Sequence, residues 1–218
     1  MKELEKRLYK HIDVLLERYP MLEVVKEDII KSYLIMEECY ENGGKLLVAG
    51  NGGSAADSEH IAGELMKRFK ISRPVSKEYA EKLIEIDPER GPELAKNLEQ
   101  SLMAIPLVAH EALTTAYIND VDGLGVFAQQ LMGFGRKGDV FLGISTSGNS
   151  QNVLNATVVA RASGLKVIGL TGLGGGKLAE VSDVAIKVPE TETYMIQELH
   201  LPVYHCLCLM LEDRFFGK

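Results

Sequence analysis

The sequence predicts an α/β protein in three layers, with a parallel β-sheet between two layers of helices. Five short apolar runs, at 45–50, 104–109, 139–145, 166–171 and 184–188, alternate with stretches long enough for helices. Short apolar runs of this kind suit strands buried on both faces, and strand–helix alternation implies parallel crossovers covered on both sides. Glycine- and serine-rich loops follow the first and third runs. In open parallel sheets ligands bind at the carboxyl ends of strands, near a topological switch point, which is where both loops fall.

Two helices open the chain. Leu4, Leu8, His11, Ile12 and Leu15 form one stripe over 2–18, and Val25, Ile29, Tyr33 and Met36 another over 23–42. Gly43–Gly44 stops the second helix, and KLLVAG at 45–50 begins the sheet. Helical segments at 54–68, 110–118, 124–134, 150–163 and 175–181 then separate the strands, and a long helix at 194–215 ends the chain. Residues 71–103 are polar, charged and amphipathic, and read as a one- or two-helix insertion. At 218 residues the chain is one domain, 1–218, whose N-terminal helical pair at 1–42 serves packing or oligomerisation.

Composition narrows the function. Hydrophobic residues make up 46% and charged residues 25%, the balance of a soluble globular protein. No apolar run reaches membrane-spanning length, and the charged N-terminus lacks the core of a signal peptide, so a cytoplasmic location without membrane attachment is expected. The formal charge is −7 with no basic stretch beyond 66–70, which argues against nucleic acid. An anionic small molecule remains compatible, since backbone N–H groups and hydroxyls hold phosphate without net positive charge. Cys39, Cys206 and Cys208 read as buried free thiols.

The first loop is Gly50-Asn51-Gly52-Gly53-Ser54-Ala55, running into a helix. Its glycines permit a sharp turn with exposed N–H groups, and the helix N-terminus favours an anion. The letters satisfy G-x-G-x-x-A, but the region about 20 residues on, where a dinucleotide fold carries its acidic residue, is the polar insertion. The second loop, Ser145-Thr146-Ser147-Gly148-Asn149-Ser150, has four hydroxyls at a strand end. One would suffice as a helix cap, and the surplus points to phosphate. Neither loop is followed by the lysine of a P-loop.

A polar set lies beside these loops. His60 and Glu64 stand at i and i+4 on one helix face, and the final helix places Gln197, Glu198, His200 and His205 in an apolar run. Imidazole, carboxylate and an amide oxygen together suit Zn²⁺ or another divalent metal. Gln197 and His200 share a face, whereas His205 lies about 80° around, so geometry alone favours His200 over His205. His11 and His110 lack comparable polar company and read as packing or capping residues.

Taken together, LLVAGNGGSAADSEHIAGEL, INDVDG, GDVFLGISTSGNSQNV, KVIGLTG and IQELHLPVYHCLC resemble the SIS (sugar isomerase) domain family and, within it, the phosphoheptose isomerases. The resemblance implies a five-stranded parallel sheet, a homotetramer and a cytoplasmic isomerase of sedoheptulose 7-phosphate that supplies heptose for surface glycans. It implies substrate contacts at Asn51, Gly52, Gly53, Asn119, Asp120, Ser145, Thr146, Ser147, Ser150 and Gln197. It implies one Zn²⁺ per subunit on His60, Glu64, Gln197 and His205, displacing His200, and an acid–base pair of Glu64 and His205. A zinc-bound carboxylate is a weaker base, which sets the two implied roles of Glu64 in tension. The insertion at 71–103 is longer than that region usually is in the family and stands where it can reshape the sugar pocket. The alternatives are an isomerase of another phosphosugar and a non-catalytic SIS regulator that binds the replication initiator.

Overall fold

The computed structural model describes residues 3–217, so Lys2, where the expected first helix begins, lies outside the described residues with Met1 and Lys218. Helices α1 (Tyr9–Arg18) and α2 (Lys26–Glu41) precede β1 (Leu46–Ala49). Helices α3 (Gly53–Met66), α4 (Lys77–Ile86) and α5 (Gly91–Asn97) fill the span to β2 (Ala104–Pro106). Helices α6 (Glu111–Asp120) and α7 (Val126–Phe134) lead to β3 (Val140–Ile144), and α8 (Gln151–Ala162) leads to β4 (Lys166–Thr171). Then α9 (Gly176–Val181) leads to β5 (Val184–Lys187), and α10 (Thr193–Phe216) closes the chain. The expected elements are all present with ends moved by a few residues, except that the first helix, expected from residue 2, begins only at Tyr9 after a 3₁₀ turn at Lys6–Leu8.

The five strands form one parallel sheet in the order β2-β1-β3-β4-β5. Side chains alternate between its faces. Leu46, Val48, Val140, Leu142, Ile168, Leu170 and Ile186 pack with α1, α2, α3 and α10, while Leu47, Ala49, Phe141 and Val167 pack with α7, α8 and α9. Each strand is apolar on both sides because each side meets a helix layer. The second strand is shorter than the expected 104–109. It pairs with β1 only as far as Pro106, opposite Val48, and beyond it Leu107 N–H still bonds the Val48 carbonyl at 2.8 Å.

The chain leaves β1 toward β2 on one side and toward β3 on the other, so the sheet changes direction between β1 and β3. That crevice is the switch point of a doubly wound sheet, and the two loops flank it. The insertion is a helical hairpin, α4–α5, with no buried side chain in α4. Its root is tied down by an antiparallel bridge between Pro74 and Glu99 and by Gln100 N–H donating to the Arg73 carbonyl at 2.7 Å.

Candidate active site

Because β1 and β3 are neighbours, the loops that follow them meet. Asn51, after β1, and Asn152, in the first turn of α8, exchange two amide hydrogen bonds at 2.9 and 2.8 Å. Gly52 has φ of 56°, a left-handed turn that glycine adopts without a Cβ penalty, and it delivers the chain into α3. At Gly53 the reason for glycine is space: a Cβ there would sit 2.6 Å from Gln197 Nε2. Gln197 of α10 is therefore seated against the start of α3.

The second loop is rigid by its own bonds. Ser145 is buried and its Oγ pairs with Ser150 Oγ at 2.9 Å, so Ser150 does not cap α8 with its side chain. Ser147 Oγ accepts from Asn149 N–H at 3.2 Å, and Asn149 Oδ1 accepts from Lys177 N–H at 3.1 Å. Gly148 has φ of 65° and packs on the backbone of Gly175 and Gly176, where a side chain has no room. The hydroxyls at 145, 147 and 150 thus have partners within the loop or its flanks, which holds them in one arrangement.

Further along, α3 and α10 run side by side in the same direction. Gln197 meets Gly53, Tyr204 meets His60, and Glu212 meets Phe69. Between them lies a group that the sequence only partly announced. His60 Nε2 is 3.2 Å from Glu64 Oε1, and its Nδ1 is 3.0 Å from the Tyr204 hydroxyl. That hydroxyl donates to Asp57 Oδ1 at 3.1 Å. The His205 ring crosses the His60 ring edge-on at a centroid separation of 4.9 Å and lies 5.3 Å from Phe69. Glu64 Oε2 and His205 Nε2 are both buried without a hydrogen-bond partner, the nearest cation to Glu64 Oε2 being Lys67 at 3.6 Å. Burial lowers the His205 pKa, helped by His60 and opposed by Glu64, so the ring is neutral near pH 7. Burial raises the Asp57 carboxyl, against the Tyr204 hydrogen bond, and raises the Tyr204 phenol.

Sequence reasoning missed Asp57 and Tyr204. Asp57, His60 and Glu64 follow an i, i+3, i+7 pattern on α3, a signal that was available; Tyr204 had none beyond its place beside His205. His60, Glu64 and His205 are brought together. Gln197 is not with them: eight residues along α10 put it about 12 Å along the axis from His205. Asn119 and Asp120 are exposed at the end of α6, where Asn119 Nδ2 donates to Asp120 Oδ1 at 2.7 Å and no hydrogen bond reaches either loop.

His200, favoured by helical geometry, is fully buried and turned toward β4. Burial pushes its pKa down to about 4; the Thr171 backbone opposes this in part, although neither ring nitrogen makes a hydrogen bond of normal geometry. His11 does have polar company, with Nε2 at 2.8 Å from Asp213 of α10, which also pairs with Arg7 and Lys10. His110 packs against Phe134. The three cysteines are free and buried, and burial pushes Cys39 up to about 11 and Cys206 to about 12.

The donors suit a metal chemically. Zinc at about 2.0 Å from an imidazole nitrogen and a carboxylate oxygen sets them about 3.3 Å apart in a tetrahedron. His60 Nε2 and Glu64 Oε1, at 3.2 Å, have that spacing, and the two unpartnered buried atoms supply lone pairs beside it. The set is adjacent rather than convergent: among the described residues no three His, Cys, Asp or Glu side chains close on a common point.

The doubly wound sheet, the two loops at its switch point and this group define a sugar-isomerase type of domain, and the chain belongs to the SIS domain family, whose model matches residues 9–103 and 98–172. Among its relatives are phosphoheptose isomerases. That of Aneurinibacillus thermoaerophilus is 40% identical over 82% of this chain and 77% of its own. Phosphoheptose isomerase 2 of Campylobacter jejuni is 38% identical over 89% of each chain. Among solved structures, the phosphoheptose isomerase of Neisseria gonorrhoeae superposes with a TM-score of 0.72 at 32% identity, covering 95% of this chain and 98% of that one. Among the described residues no helix is long and apolar enough to cross a membrane.

Proposed function

We propose that the protein is an aldose–ketose isomerase that converts sedoheptulose 7-phosphate to D-glycero-D-manno-heptose 7-phosphate. The observation that carries this reading is the gathering of His60, Glu64 and His205 from two parallel helices, with His60 Nε2 3.2 Å from Glu64 Oε1 and the His60 ring 4.9 Å from that of His205. Isomerisation of the open-chain sugar removes a proton from C1, passes through an enediol and returns a proton to C2. Glu64, as carboxylate, takes the C1 proton and delivers it to C2, so it ends as it began. Neutral His205 both accepts and donates, as ring opening and the exchange of protons between O1 and O2 require.

Ser145, Thr146, Ser147 and Ser150 hold the phosphate, aided by the free N–H groups at the start of α8. Asn51, Gly52, Gly53 and Gln197 contact the sugar, and Asn119 and Asp120 complete its binding. His60, Glu64 and His205 would hold Zn²⁺, while Gln197, seated against Gly53 two turns away along α10, serves the sugar. When bound, the metal supplies Lewis-acid stabilisation of the oxyanion that develops beside C1 and C2. Tyr204, bonded to Nδ1 of His60, fixes which ring nitrogen faces Glu64.

The same reading makes the protein a cytoplasmic homotetramer that supplies heptose for surface glycans, lipopolysaccharide among them. Exposed Val14, Met21 and Val24 around the N-terminal helical pair support a subunit contact there. The test is an assay of the zinc-supplemented protein on sedoheptulose 7-phosphate. Glu64→Gln is expected to bind substrate without turnover; turnover at the parent rate would remove Glu64 from the mechanism.

A further inference from the structure

One buried ion pair has no part in the chemistry above. Arg73 and Glu212 are 0% and 1% exposed and 2.8 Å apart, yet they lie 139 positions apart in sequence. Burying two charges costs more than burying an apolar pair of the same volume, so stability alone is a weak reason to keep them. Their bonds, however, fall on the site.

Arg73 Nη1 donates to the Leu65 carbonyl at 2.8 Å and Nη2 to the carbonyl of Glu64 itself at 3.1 Å, while Nε and Nη2 reach Glu212 Oε1. Glu212 also accepts from the backbone N–H groups of Phe69, at 2.7 Å, and Lys70, at 2.8 Å. Glu212 stands seven residues beyond His205 on α10, on the same face, and the ring of Phe69 packs on His205. One planar guanidinium therefore joins the last turn of α3, the segment after it, and α10. The Arg73 carbonyl also anchors the root of the α4–α5 hairpin through Gln100.

We propose that Arg73 and Glu212 are positioning residues, a buried clamp that sets Glu64 on α3 at its working distance from His205 on α10. The clamp also fixes the exit of the chain from α3, so that the added hairpin hangs from a rigid root and leaves the helix pair undisturbed. Lysine cannot replace the arginine here, because a point charge cannot serve two carbonyls and a carboxylate in one plane. The clamp rests on the isomerase reading.

The experiment pairs Arg73→Met with Glu212→Leu, which removes both charges together and leaves neither unpaired. Melting temperature, kcat and KM for sedoheptulose 7-phosphate are compared with the parent, all with zinc. The double variant is expected to melt within about 5 °C of the parent. Its kcat is expected to fall at least about tenfold while KM stays within about threefold. A merely structural pair predicts that kcat recovers along with the melting temperature, and a kcat within about twofold of the parent overturns the clamp. Should the double variant not fold, Arg73→Lys, which keeps the charge pair, is judged by the same split. A parent that does not turn over sedoheptulose 7-phosphate counts against the isomerase reading instead. The clamp is then judged on the His60–His205 ring separation in crystals of the variant, where retention of 4.9 Å overturns it.

Discussion

Substituting Gly53 by alanine separates fold from function at a single methyl group. Gly53 is the first residue of α3 and is not among the glycines with positive φ, so its backbone accepts a Cβ without strain. The methyl would lie 2.6 Å from Gln197 Nε2, where ordinary contact begins at 3.4 Å, so the amide must retreat by about 0.8 Å. The obstacle is the far end of a flexible side chain, and the retreat costs little stability. Replacing glycine by alanine at a compatible position is worth about 0.4–1 kcal/mol through the unfolded chain, a rise of about 1–4 °C in melting temperature. A group displaced by about 1 Å from its working place costs about 100-fold in rate, so kcat/KM should fall about 10- to 100-fold. Steady-state kinetics on sedoheptulose 7-phosphate beside a thermal melt measures both. Activity within about twofold of the parent, in a protein that melts no lower, would show that Gln197 does not work from this position.

Two further expectations concern the helix pair. Tyr204→Phe removes the hydroxyl between Asp57 and His60 and frees the His60 ring to turn; zinc affinity should drop about 10- to 100-fold by chelator competition, and an unchanged affinity would remove Tyr204 from the metal's support. His200, held near a pKa of about 4 against 6.5 in the unfolded chain, gives stability that is intact above pH 6.5. That stability is lost as pH falls toward 4, by about 3 kcal/mol in all. His200→Leu should flatten the fall in melting temperature between pH 7 and 4.5 by about 5–10 °C, and an equal fall in both proteins would refute the burial argument.

The layers of the fold were legible because each strand is short, apolar on both sides and bounded by turn residues. The loops were legible because glycine and hydroxyl residues cluster at strand ends for few reasons. Helical spacing placed His60 and Glu64 on one face correctly. On α10 the same logic misled: the helix is buried on most sides, with Leu199, His200, Val203, Tyr204, Cys206 and Leu207 all covered, so no apolar stripe says which face looks toward α3. His200 accordingly turned out to face β4 rather than the site. The pairing of His11 with Asp213 and of Arg73 with Glu212 spans 202 and 139 positions, and no local pattern announces contacts that only the packed helices create. Nor could spacing show that Gln197 sits against Gly53, two turns from the histidines.

The central claim is that Glu64, opposite His205, moves a proton between C1 and C2 of sedoheptulose 7-phosphate. Following the sugar by NMR in deuterium oxide, with zinc-supplemented parent and Glu64→Gln side by side, tests it most directly. The mechanism predicts heptose 7-phosphate from the parent, with deuterium at C2 to the extent that the proton held on Glu64 exchanges with solvent before delivery, and no exchange or product from the variant. Deuterium exchange and product formed equally by both proteins, or a parent that ignores this sugar and isomerises a pentose phosphate, would contradict it.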